Sequence, residues 1–92
     1  MRIEYSKRAL QDLRNMAADA TSYGPEVAEA VEAHLRHLLD HIRREPDAAP
    51  RIKERPGVRV IPLIKYPYKI FYRTTENAVR VLHIRHTSRR PW

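Results

Sequence analysis

A glycine–proline pair, Gly24-Pro25, interrupts what would otherwise be one long helical pattern, and this break restricts the fold more than any other feature of the chain. Pro25 suits the first turn of a helix, because the N–H that proline lacks would have no partner there. A connection this short makes two successive helices run antiparallel. The first half of the chain is therefore predicted to form a helical hairpin.

Both segments that flank this break carry apolar residues at helical spacing. The first helix is predicted from Lys7 to about Thr21, with Ser6 as its N-cap, and the second from Pro25 to about Arg44. The first stripe consists of Leu10, Leu13, Ala17 and Ala20, widened by Ala9 and Met16; the second consists of Val27, Val31, Leu35, Leu38 and Ile42, with Ala28 and Leu39 beside it. Two such stripes need a sheet or a partner to cover them.

The other periodic segments alternate in the manner of β-strands. A short strand is predicted at Met1–Tyr5, and three more at Val58–Ile64, Tyr68–Arg73 and Val79–Arg85. Short connections make the last three an antiparallel meander. The predicted class is α+β in the order β-α-α-β-β-β, a helical hairpin packed on an antiparallel sheet, within a single domain over residues 1–92.

Prolines mark the approach to the second strand. Glu45–Gly57 contains three prolines and is predicted to be an extended crossover. Pro62 lies within the next strand, where it cannot donate to a ladder. It therefore indicates a bulge, or a position whose nitrogen faces away from the neighbouring strand, and Val58–Val60 is the safer core of this strand.

The positive charge of the chain is concentrated in its second half. The formal net charge is +7. Residues 1–46 hold seven Lys/Arg against eight Asp/Glu, whereas residues 47–92 hold eleven against three. A field of this sign attracts nucleic acid or an acidic protein segment. The alternative is a basic surface that is merely well solvated.

Composition excludes several classes of protein. The chain has no cysteine, so disulfides and thiolate sites are absent and a reducing cytoplasm is favoured. No secretory signal and no run of about 20 apolar residues is present, so a soluble protein without membrane contact is expected. Gly24 and Gly57 cannot form a glycine-rich phosphate loop, and no cofactor is expected. His34, His37 and His41 lack a partner ligand at a matching spacing, so we expect them to flank the apolar stripe, not to hold a metal.

Cations gather on one strand face and at the end of the chain. If Tyr68, Ile70 and Tyr72 face the helices, Lys69 and Arg73 point the other way, and Arg80 joins them in one of the possible registers. Guanidinium groups match phosphate and carboxylate geometry, and an indole offers a flat face for contact. The predicted residues that bind a target or RNA are Lys69, Arg73, Arg85, Arg89, Arg90 and Trp92. The alternative for the last residues is an unordered basic tail.

His86 is the candidate general base at the end of this basic surface. Neighbouring cations favour the neutral imidazole, which can accept a proton near pH 7. The alternative is a structural histidine that ties the last strand to a neighbour.

Three of these segments resemble the RelE/ParE toxin superfamily of type II toxin–antitoxin systems, and its ParE-like branch most closely. They are Arg55–Pro62, Tyr68–Arg73, and Val79–Ile84 leading into His86 and Arg89. The resemblance implies a toxin that a cognate antitoxin neutralises in a cytoplasmic hetero-oligomer. RelE-like members cut messenger RNA on the ribosome with a cluster of Lys, Arg and sometimes Tyr or His on the sheet, whereas ParE-like members poison DNA gyrase and lack that cluster.

The match to the nuclease pattern is partial. Lys69 and Arg89 occupy cationic positions of the pattern, but Val60 and Pro62 stand where its paired lysines are expected, and its C-terminal tyrosine is missing. Losing one positioned donor typically costs about 10²–10³ in rate. The sequence therefore favours an inhibitor of DNA gyrase that is not an enzyme.

Two alternatives stay open. One is a ribosome-dependent mRNA endoribonuclease of the RelE type, with its site at His86, Lys69, Arg73 and Arg89, to which Lys53 and Arg55 add charge if the crossover folds over the sheet. The other is an antitoxin-bound module without toxicity.

Overall fold

The structure, a computed structural model that describes residues 1–87, has the predicted order of helices and strands. The elements are β1 (Arg2–Tyr5), α1 (Lys7–Ser22), α2 (Pro25–Arg44), β2 (Arg59–Pro62), β3 (Tyr68–Thr74) and β4 (Ala78–His86). Each predicted element is present, and β2 is shorter than the Val58–Ile64 run.

The helical hairpin begins at the predicted N-cap, Ser6, and turns at the predicted Gly24-Pro25 break. The Ser6 hydroxyl accepts the Ala9 N–H (2.9 Å), which confirms the predicted N-cap, and it donates to the Leu82 carbonyl (2.8 Å). Gly24 adopts a φ of 109° between the two helices, and Pro25 opens α2. Ser6 thus ties the start of α1 to β4.

The sheet has the strand order β1-β4-β3-β2. β2, β3 and β4 form the predicted antiparallel meander. β1 pairs with β4 in parallel, and the four-stranded sheet is therefore mixed. The predicted fold is confirmed, and the one difference is that β1 joins the predicted antiparallel sheet as a parallel strand.

Both helices cover one face of the sheet. The buried core consists of Ala9, Met16, Ala20, Val31, Leu35, Leu38, Leu39, Ile42, Ala49, Leu63, Ile70, Tyr72, Val79, Val81 and Ile84. The predicted stripe of α2 is confirmed. In α1 the buried positions are Ala9, Met16 and Ala20, whereas Leu10 is 43% exposed, so its assignment to the core was wrong. Neither helix among residues 1–87 is long and apolar enough to cross a membrane.

Pro62 causes no loss of pairing because β2 lies at the edge of the sheet. The crossover runs along the outer side of β2, where the Val60 N–H donates to the Pro50 carbonyl (3.0 Å) and the Ile52 N–H to the Val58 carbonyl (3.0 Å). The crossover is thus an extended segment paired to the sheet edge.

A β-bulge in β4 decides which side chains face away from the helices. Phe71 pairs with His83 and Tyr72 pairs with Val81, so Leu82 is an extra residue without a partner in β3. Before the bulge, Val81 faces the helices; after it, Ile84 does. The bulge therefore turns His83 to the sheet face opposite the helices (the outer face).

Candidate functional site

Cations from β3 and β4 stand side by side on the outer face. Lys69 pairs with Arg85, and Arg73 pairs with Arg80. Directly paired residues of neighbouring strands point to the same face. The structure thus places three predicted binding residues, Lys69, Arg73 and Arg85, on one surface and fixes the register that adds Arg80.

Part of this surface is a cleft between the sheet, the start of α1 and the crossover. It encloses about 520 Å³ and is lined by Ser6, Arg8, Arg55, Arg73, Leu82, His83 and Arg85. Four arginines from four segments of the chain converge here (the arginine cleft). Arg55 enters it because the crossover lies against the sheet, as the sequence allowed, whereas Lys53 is not among its lining residues.

His83, which lines the cleft, is one half of a buried carboxylate–imidazole pair. The Asp12 Oδ2 lies 2.5 Å from His83 Nδ1 and accepts the Ile84 N–H (3.0 Å). A carboxylate can only accept, so His83 donates from Nδ1, and its Nε2 lies on the side of the ring away from Asp12. Asp12 reaches both groups because β1 ends at Tyr5, and α1 then covers the edge of β4.

Arg85 contacts the other side of the same ring. Its Nη1 lies 3.4 Å from His83 Nε2, and the ring stacks on Phe71 with an interplanar angle of 24°. The Arg85 Nε is buried and makes no hydrogen bond within residues 1–87. The cleft therefore holds a fixed imidazole, and beside it a guanidinium N–H that none of these residues satisfies.

His86 lies on the helix side of the sheet, away from the arginine cleft. Its ring contacts that of Tyr68 edge to face (5.2 Å), and both line a separate cavity of about 350 Å³. The Tyr68 hydroxyl donates to Asp19 of α1 (3.1 Å). The expectation that the basic surface ends near His86 was wrong, because the bulge turns this residue to the other face.

The remaining predicted binding residues, Arg89, Arg90 and Trp92, lie outside the described residues, so the structure does not place them.

The second strand adds no cation where the nuclease pattern has lysines. Val60 pairs with Phe71 and Pro62 with Lys69, so both project from the outer face. The nearby cation Arg59 instead holds the crossover, donating to the Ala49 carbonyl (2.7 Å) and pairing with Asp47 (3.4 Å).

The histidines of α2 do not form a metal centre. His34 Nε2 accepts the Ile64 N–H (3.0 Å), so this ring ties α2 to the β2–β3 connection. Within residues 1–87, no three His, Asp or Glu side chains are grouped to hold a metal ion.

A second cleft of different chemistry lies between the helices. It encloses about 280 Å³, and apolar residues dominate its lining: Leu13, Met16, Ala17, Ala20, Ala28, Val31 and Leu35, with Thr21 and Glu32. This helix groove is mostly apolar and lies on the opposite side of the sheet from the arginine cleft.

A sequence profile of the family described as the ParE toxin of the type II toxin–antitoxin system, parDE, matches residues 3–91. The chain belongs to the ParE toxin family. A search of curated proteins found none that matches.

Solved structures share the fold of this ParE-family chain. The chromosomal ParDE toxin–antitoxin system of P. aeruginosa is 23% identical with a TM-score of 0.79, and the match covers 94% of this chain and 95% of that one. A chain of the E. coli DinJ–YafQ complex is 16% identical with a TM-score of 0.66, covering 96% of each chain. A chain of the intact E. coli RelBE toxin–antitoxin complex is 21% identical with a TM-score of 0.59, covering 97% of this chain and 98% of that one.

The sequence did not indicate three residues at this site of the ParE-family toxin: Arg8 and His83, which line the cleft, and Asp12, which holds His83. Arg8 and Asp12 form an ordinary i, i+4 ion pair (3.5 Å) on α1, which gave no sign of a site. His83 lies in a strand whose alternation groups it with the buried Val81. The one available signal was an acidic residue on the predicted apolar side of α1, which calls for a buried partner.

Proposed function

We propose that this ParE-family toxin inhibits DNA gyrase by binding it, without chemistry of its own. A cognate antitoxin holds it inactive in a cytoplasmic hetero-oligomer. Membership of the ParE toxin family supports the toxin role, and the chemistry of the outer face supports binding over cleavage.

The observation that carries this proposal is the composition of the outer face. Val60 and Pro62 occupy its β2 positions, and His86 lies on the opposite side of the sheet from Lys69 and Arg73. Of the expected nuclease set, His86 therefore lies apart from Lys69 and Arg73, and a phosphodiester on this face would lack positioned donors from β2. Since each such donor is worth about 10²–10³ in rate, binding is the better supported role.

The helix groove supports the antitoxin part of the proposal. Its apolar lining suits the apolar face of an amphipathic segment, and the net charge of +7 favours an acidic one. The structural neighbours titled DinJ–YafQ and RelBE are themselves complexes of two different proteins.

The test is an in vitro supercoiling assay with relaxed plasmid, purified gyrase and purified toxin. We expect a toxin-dependent loss of supercoiling that is reversed by the purified protein of the adjacent antitoxin gene. Unchanged supercoiling, together with cleaved transcripts in a translation extract, would overturn the gyrase target and favour an endoribonuclease.

The Asp12–His83 pair favours that endoribonuclease as a second candidate. It holds the His83 ring, with Nε2 turned away from Asp12, in a cleft lined by four arginines, which is an arrangement suited to a general base beside a phosphate. On this alternative, His83 takes the role that the sequence suggested for His86.

Two substitutions distinguish His83 from His86 as the general base. His83→Asn keeps an N–H near Asp12 but removes the base, so a nuclease would lose transcript cleavage while His86→Ala retained it. Full growth inhibition by both variants would rule out histidine-dependent cleavage, as the gyrase proposal expects.

A further inference from the structure

We infer that the arginine cleft is a binding site for the phosphate backbone of a nucleic acid. The site goes beyond gyrase inhibition and does not depend on it, because the argument uses only the outer face of this chain.

The arrangement of cations on the outer face is unfavourable without an anion. Lys69 stands directly opposite Arg85, and Arg73 directly opposite Arg80. Like charges in directly opposed positions destabilise a sheet. Arg80 is partly balanced by Glu4 (3.8 Å), but within residues 1–87 no carboxylate forms an ion pair with Arg73 or Arg85. A bound anion would supply the missing negative charge.

Arg85 carries a second sign of an anion site. Its Nε is buried and has no acceptor within residues 1–87, while other parts of the residue line the cleft. A buried donor without an acceptor destabilises the fold. A phosphate oxygen is a charged acceptor that matches a guanidinium group, often through two parallel hydrogen bonds.

The spacing of the cations favours a polymer with repeated charge. Lys69 and Arg73 project from the same face of β3, four residues apart, which is about 13 Å at 3.3 Å per residue. Arg55 extends the charge sideways onto the crossover, and Arg8, which pairs with Asp12, lines the cleft from α1. A row of this length can contact several successive phosphates of one strand.

The apolar surface of the molecule is located elsewhere. The helix groove, which suits a protein segment, lies on the other side of the sheet, whereas the arginine cleft is lined by four guanidinium groups. An acidic peptide is therefore the weaker candidate for this cleft. Because the predicted contacts reach phosphates alone, we expect binding that is insensitive to base sequence and steeply dependent on salt.

The experiment measures the fluorescence anisotropy of labelled 20-mers with the purified full-length toxin at several salt concentrations. Single-stranded RNA, single-stranded DNA and duplex DNA are separate arms, which identify the nucleic acid. We expect binding in at least one arm, weakened severalfold by Arg73→Gln, with the slope of log K against log salt reduced by about 1. Arg55→Gln is a second exposed variant with the same expectation.

Arg36→Gln is the matched control, because Arg36 is an exposed arginine on α2 that pairs with Glu32. Circular dichroism of each variant confirms that it is folded. Equal effects of Arg73→Gln and Arg36→Gln would overturn the site, as would absence of binding in all three arms. Tighter binding of an oligoglutamate peptide than of any nucleic acid would overturn it in favour of an acidic protein partner. Because the assay contains no gyrase, its result and that of the supercoiling assay are independent.

Discussion

Asp12 connects α1, the edge of β4 and the arginine cleft, so its replacement by alanine is the most informative single change. Its side chain is 10% exposed, and one oxygen accepts both the Ile84 N–H and the His83 Nδ1–H. Asp12→Ala leaves two buried donors without an acceptor. Each costs about 1–3 kcal/mol, so we expect the free energy of unfolding to fall by about 2–6 kcal/mol.

Urea denaturation followed by circular dichroism measures this loss. It corresponds to a melting temperature lower by at least roughly 8 °C, since about 1 kcal/mol shifts a domain of this size by about 4–8 °C. Asp12→Asn keeps an oxygen for the Ile84 N–H and loses the charge that holds His83. It should therefore destabilise the protein less than Asp12→Ala.

Glu32→Ala is the matched control. Glu32 also forms an i, i+4 ion pair on a helix, but its side chain is 66% exposed, so its removal should cost about 0.5 kcal/mol or less. If Asp12→Ala lowered the free energy of unfolding no more than Glu32→Ala, the account of Asp12 as a buried link between α1 and β4 would be refuted.

Three further substitutions test the core, the alkaline stability and the crossover. Ile42→Ala removes a side chain that is 1% exposed and should cost about 2–5 kcal/mol in urea denaturation, whereas Ile64→Ala, at a position 81% exposed, should change little. Burial raises the pKa of Tyr72 above the ordinary value of about 10, so the neutral form stabilises the fold below pH 10 and this contribution is lost as the pH rises through the folded-state pKa. Tyr72→Phe should flatten the loss of stability between pH 9 and 12, and an unchanged slope would contradict this. Gly57→Ala places a side chain at a φ of 79°, with no atom within 4 Å, and should cost about 1 kcal/mol of backbone strain, while Gly57→Asn should cost less.

The sequence predicted the elements whose signals are local. The Ser6 cap and the Gly24-Pro25 break fix the ends of the helices through residues within one turn. The alternation in β3 fixes its two faces, because that strand is regular and its Tyr72 and Ile70 are fully buried. These features depend on neighbours in the chain and can be inferred from them.

The sequence did not predict the site on β4, because its geometry is set by distant contacts. The bulge at Leu82 carries no glycine to mark it, and it shifts the alternation so that His83 and His86 exchange faces. Asp12 and His83 are separated by 71 positions in the sequence, so their contact depends on α1 packing beside β4. The assignment of Leu10 to the core was wrong for the same reason, because the sheet sets the orientation of α1 about its axis.

We propose that this ParE-family toxin inhibits gyrase by binding it, and Arg73 is one of the residues predicted to bind the target. The most direct measurement is the toxin concentration that halves supercoiling by gyrase, compared between the wild-type protein, Arg73→Glu and Arg36→Glu. The account predicts inhibition by the wild type, inhibition at least about tenfold weaker for Arg73→Glu, corresponding to about 1.4 kcal/mol, and no change for Arg36→Glu. Wild-type toxin that leaves supercoiling unchanged, or Arg73→Glu that inhibits as strongly as the wild type, would contradict it.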